Sequence, residues 1–161
     1  MEMFRRVFAS ICEEAAMPKN ILIELKGLSG DFDETIGPNG IAVAGEIFGS
    51  TSTPDGTSQT RTDIFTFPNG PLTIRNGQTT HVQAEAIYTL MNPSQDGPGG
   101  HTQLTFGGLL NKADGQVFGE GFRSATTFNP TPEGSRDTIV KVIRSNQEIK
   151  LHFFLTVTTS S

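Results

Sequence analysis

Between residues 148 and 158, Ile149, Leu151, Phe153, Leu155 and Val157 alternate with Glu148, Lys150, His152, Phe154, Thr156 and Thr158. A period of two places the first set on one side of a β-strand, because successive side chains of a strand point to opposite faces. The stretch from 81 to 90 repeats the pattern, with Val82, Ala84, Ala86, Tyr88 and Leu90 set against His81, Gln83 and Glu85. Near the N-terminus the period changes. Phe4, Val7, Phe8, Ile11 and Ala15 fall at helical spacing, Arg5, Arg6, Glu13 and Glu14 lie elsewhere on the wheel, and Pro18 ends the pattern. The spacing predicts a short amphipathic helix over residues 2–15, within an N-terminal arm of residues 1–17.

Beyond Pro18 the chain is punctuated at regular intervals by Asn39-Gly40, Asp55-Gly56, Asn69-Gly70, Asn76-Gly77, Asp96-Gly97, Asp114-Gly115, Glu133-Gly134 and Ser145-Asn146. Asn-Gly and Asp-Gly suit tight turns because both residues tolerate positive φ. The intervening runs read as strands: NILIELKG, GIAVAGEIF, QTRTDIFTF, PLTIR, THVQAEAIYTLM, HTQLTFGGLL, QVFGEGFRSATTF, DTIVKVIR and EIKLHFFLTVTT. About eight to nine alternating strands joined by turns predict an all-β domain over residues 18–161, either an antiparallel β-barrel or a two-sheet sandwich. No helical run separates the strands, which excludes a parallel α/β fold. Gly107-Gly108, Gly119 and Gly121 fall inside strand runs rather than before a helix, so they read as places where the sheet bends or a neighbour comes close, not as a phosphate cradle.

Composition supports this reading. Of 161 residues, 35% are hydrophobic and 18% charged, with 18 Gly, so Thr, Ser, Asn and Gln make up much of the remainder. The formal net charge of −5 opposes nucleic-acid binding, which needs clustered Lys and Arg to displace counterions. The lone Cys12 excludes an intrachain disulfide. No apolar run approaches the roughly 18 residues of a transmembrane helix. The opening MEMFRRVFASICEEAAM has too short an apolar stretch for a secretory signal, and Asn92 and Asn129 are each followed by the proline that blocks glycosylation. A cytoplasmic location is the default expectation.

Candidate chemistry is sparse. His81, His101 and His152 show no spacing that suggests a metal site, with only His81 and Glu85 near one another on one strand face; neither metal nor cofactor is expected. There is no Gly-x-Ser-x-Gly elbow, and Cys12 has no nearby His. The candidates for acid-base work are Glu46, Glu85 and Tyr88, with Asp63, Glu120 and Arg123 as further strand-borne groups. In GIAVAGEIF, Glu46 shares a face with Ala42, Ala44 and Phe48, while Ile41, Val43 and Ile47 share the other, so the pattern leaves open which face is core. Twelve Phe and no Trp give an interior of purely apolar rings. Any cavity among Phe65, Phe106, Phe122 and Phe153 would suit an apolar ligand.

The run ILIELKGLSGD is similar to the opening strand of secretion-tube proteins, and FTFPNGPLTIRNG to hairpins of small lipocalin-like or allene-oxide-cyclase-like barrels. Each resemblance spans one strand or hairpin, and neither assigns a family. Two functional readings follow. The first is a non-catalytic β protein that assembles with copies of itself as a tube, shell, virion or appendage component, with Phe4, Val7, Phe8 and Ile11 of the arm reaching a neighbour. The alternative is a barrel binding an apolar small molecule, such as a cofactor-free cyclase or isomerase. The absence of a catalytic constellation favours the first.

Overall fold

The computed structural model describes residues 18–67, 70–91, 100–125 and 133–159. The expected N-terminal helix and its residues Phe4, Val7, Phe8 and Ile11, together with Cys12, lie outside them. The described chain forms nine strands: β1 (Lys19–Asp31), β2 (Ile41–Ser52), β3 (Gln59–Thr66), β4 (Leu72–Ile74), β5 (Thr79–Leu90), β6 (Gln103–Lys112), β7 (Val117–Ala125), β8 (Gly134–Arg144) and β9 (Gln147–Thr159). Each of the nine runs read from the sequence overlaps one of them, with β1, β2 and β8 extending three or more residues beyond their runs.

All ladders are antiparallel, and they build two sheets. One has the order β5-β1-β9-β8; the other runs β3-β2-β6-β7, with β4 also paired to β2. Hairpins join β2 to β3, β6 to β7 and β8 to β9, while the remaining links from β1, β4, β5 and β7 cross between the sheets. The β8–β9 hairpin closes on two residues, with Ser145 at φ 52°, as a tight turn matched to strand twist requires.

Alternation decides which faces meet. Ile21, Ile23, Leu25 and Leu28 of β1 and Ile149, Leu151, Phe153 and Leu155 of β9 are buried against Val43 and Ile47 of β2 and Leu104, Phe106 and Leu110 of β6. The question left by β2 is thereby settled: its Ile/Val face is core, and Glu46 points outward.

Of the two expected architectures, the closed barrel is corrected to a sandwich, because no ladder joins β7 to β8 or β3 to β5. The sheets nonetheless touch along both sides. On one side Tyr88 of β5 donates its hydroxyl hydrogen bond to the Thr62 carbonyl of β3 at 2.6 Å. On the other, β7 runs against β8 so closely that a Cβ on Gly121 would stand 2.2 Å from the Lys141 carbonyl oxygen. Arg144 donates to the Val117 carbonyl at the same seam. The strand glycines therefore serve a close approach that stops short of hydrogen-bonded closure.

Candidate functional site

The β7–β8 corner and the outer face of the β3-β2-β6-β7 sheet carry the structure's most distinctive surface. Among the described residues the exposed large hydrophobics are Ile87, Val117, Phe122, Ile139 and Ile143, and four of these five stand on β7 and β8. On β8 the cause is local. Val140 and Val142 turn inward and are buried, so Ile139 and Ile143 must take the opposite face, where they are 40% and 58% exposed. A strand of a two-layer sandwich buries one face, yet the outer face of β8 carries two isoleucines among Ser135, Asp137 and Lys141.

Around the corner, Phe122 of β7 lies opposite Gly107 of β6, which lies opposite Phe48 of β2. The missing side chain at Gly107 lets the two rings lean together, with centroids 5.5 Å apart at 62°. Edge-on aromatic pairs of this kind contribute about 0.5–1.5 kcal/mol beyond the area they bury. Arg61 of β3 then stacks on Phe48, its guanidinium carbon 3.8 Å from the ring centroid. The same guanidinium bridges Glu46 and Asp63, each at 3.1 Å. All three charged side chains are about half exposed, so the ion pairs hold Arg61 in place more than they stabilise the fold. Between Glu46 and Glu120, over Leu109 and Gly45, lies an open depression of about 670 Å³ with exposed Val117 at its rim.

The outer face of this sheet thus presents Phe48, Arg61, Val117 and Phe122, of which Phe and Arg are types enriched at protein interfaces. The three foremost acid-base candidates do not converge: Glu46 stands on the outer face of one sheet, Glu85 on the outer face of the other, and Tyr88 in the core between them. Burial pushes the Tyr88 phenol up to about 12, which leaves it protonated at neutral pH. Asp63 and Glu120 join Glu46 on the outer face, while Arg123 faces the other way.

The four Phe named as a ligand lining are also dispersed. Phe106 and Phe153 are 2% exposed and meet edge-on at 5.2 Å, filling the core. Phe65 pairs with Phe67 at 4.9 Å, and Phe122 is outside.

The histidines are held singly. Both ring nitrogens of His101 are hydrogen-bonded, to Thr51 and Ser58 at 3.0 Å each, which ties the start of β6 to the β2–β3 turn. His152 Nε2 meets Ser29 Oγ at 2.7 Å, and burial, then the Lys150 charge, lowers its pKa. His81 is exposed on β5, across Gly27 from His152. Among the described residues no three His, Cys, Asp or Glu side chains converge as metal ligands. No helix among them is long and apolar enough to cross a membrane.

Sequence reasoning missed Phe48, Arg61, Val117, Ile139 and Ile143. A signal for the last two was present, since TIVKVI is apolar at both parities, unlike the cleanly alternating β5. Comparison with known proteins adds no assignment: no family model matches the chain, and no curated protein matches it.

Proposed function

We propose that this chain is a non-catalytic β-sandwich that assembles with copies of itself, as a subunit of a tube, shell, virion or appendage. The observation carrying the reading is that four of the five exposed large hydrophobics among the described residues, Val117, Phe122, Ile139 and Ile143, stand on the two adjoining edge strands β7 and β8. Exposed apolar side chains scattered singly are ordinary; their concentration on two edge strands, beside the Phe48–Phe122–Arg61 cluster, favours a surface that binds protein. The arm, with Phe4, Val7, Phe8 and Ile11 on one predicted face, is the second contact element in this reading.

Sedimentation velocity on the full chain, the Ile139→Thr/Ile143→Thr double variant and a chain lacking residues 1–16 tests it. Thr keeps the branched Cβ that strands favour while removing apolar surface, so the fold is preserved. The expected result is a large species for the full chain and a smaller one for the double variant. An assembly unaffected by both changes would refute the assignment of these contacts, and a full chain that stays monomeric would refute assembly itself.

A further inference from the structure

A separate feature lies at the end of the sandwich where β7 leads out to β8. Arg123 is in register with Phe106, and Arg136 with Leu155. Residues in direct register on antiparallel strands point to the same side of a sheet. Phe106 and Leu155 are core residues at 2% and 1% exposure, so both arginines spring from the inner faces of the two sheets, positions that alternation normally reserves for apolar side chains. Both are nonetheless exposed, because the sandwich opens here into a cleft of about 310 Å³. The arginines, Ser124, Asp137 and Thr138 line it, over Phe106 and Leu155.

Neither guanidinium makes an ion pair or a side-chain hydrogen bond to any described residue, including Asp137, which is in register with Phe154 on the outer side of β8. The connection from β7 to β8 brings no counter-charge, since residues 126–132 read TTFNPTP. The next acid, Glu133, accepts a hydrogen bond from Thr159. In a chain with 17 acidic and 12 basic residues, a cleft lined by two arginines and a single carboxylate, Asp137, that pairs with neither is a locally positive site against a negative background. Guanidinium forks match planar oxyanions, and two forks approaching from opposite walls can grip one group from both sides.

We propose that this cleft binds an oxyanion, a carboxylate or phosphate group carried by a small molecule, between Arg123 and Arg136. The site is independent of the apolar corner, so either can fail without the other. The test is thermal stabilisation and titration calorimetry of the full chain with three probes: inorganic phosphate, citrate and octanoate. A response to phosphate alone identifies a phosphate-bearing ligand; a response to citrate, a polycarboxylate; a preference for octanoate, a carboxylate with an apolar tail resting on Phe106 and Leu155.

The double variant Arg123→Gln/Arg136→Gln should weaken binding by about tenfold or more, the scale expected for losing charge-assisted hydrogen bonds. Single Lys variants, which keep the charge and lose the fork, should retain only part of the affinity. Arg75→Gln serves as control, because Arg75 is exposed and lies outside the cleft. No response to any probe at millimolar concentration, a response unchanged in the double variant, or one lost equally in the Arg75 variant would each overturn the proposal.

Discussion

Tyr88 shows how one side chain can join two sheets that no ladder connects. Its ring lies where a side chain on Gly49 would be, since a Cβ there would stand 2.4 Å from the ring carbon bearing the hydroxyl. The hydroxyl reaches on to the Thr62 carbonyl. Removing it in Tyr88→Phe should cost about 1 kcal/mol at neutral pH, the usual net value of one hydrogen bond. The cost should shrink in alkali. Burial raises the folded phenol from 10.0 to about 12, so above pH 10 the unfolded chain loses this proton while the folded chain keeps it. The folded state then binds more protons, and stability falls as pH rises through that window. Phe lacks the group, so urea melts at rising pH should show the two proteins converging; a constant gap would mean that the phenol is not sealed. Filling the space from the other side, by Gly49→Ala, should displace the ring and cost about 1–3 kcal/mol.

At the scale of elements, the strands were legible because alternation, turn dipeptides and the lack of long helical runs all point the same way. β1 and β9 pair side by side at the centre of their sheet, and the alternation of β9 reads unambiguously because only one of its faces meets the other sheet. Closure was not legible. Whether β7 joins β8 depends on edge-to-edge distance, which side-chain pattern does not encode; the glycines announced a close approach without saying whether hydrogen bonds would follow. The face of Glu46 was ambiguous for a similar reason, since Ala42, Ala44 and Phe48 are nearly as apolar as the Ile/Val set opposite them. What decided it was the neighbouring β6, whose Leu104, Phe106 and Leu110 fix the inner side of the sheet.

The seam also separates two glycines that look equivalent in sequence. A Cβ on Gly121 would meet the Lys141 carbonyl oxygen at 2.2 Å, whereas on Gly119 its nearest neighbour would be the Ile143 carbonyl oxygen at 3.2 Å. Gly121→Ala should therefore cost several-fold more stability than Gly119→Ala, on the order of 2 kcal/mol or more against well under 1. Chemical denaturation of the two variants decides it, and equal losses would show that β7 and β8 are not packed edge to edge as described.

For the whole molecule, the three foremost acid-base candidates disperse on folding, while the exposed large hydrophobics of the described residues fall mostly on two edge strands. Glu46, Glu85 and Tyr88 separate onto two outer faces and a core, whereas Val117, Phe122, Ile139 and Ile143 all stand on β7 and β8, the adjoining edge strands of the two sheets. That these two strands adjoin was invisible in the linear chain because it depends on the unpaired β7–β8 contact. The central claim is that the corner is covered by another copy. Its most direct test is the molar mass of the full chain by light scattering after size exclusion across a range of concentrations, with the largest species imaged by negative-stain microscopy. The account predicts a mass several times that of the 17.3 kDa chain, in rings, tubes or a closed shell. A mass that stays at one chain at every concentration would contradict it.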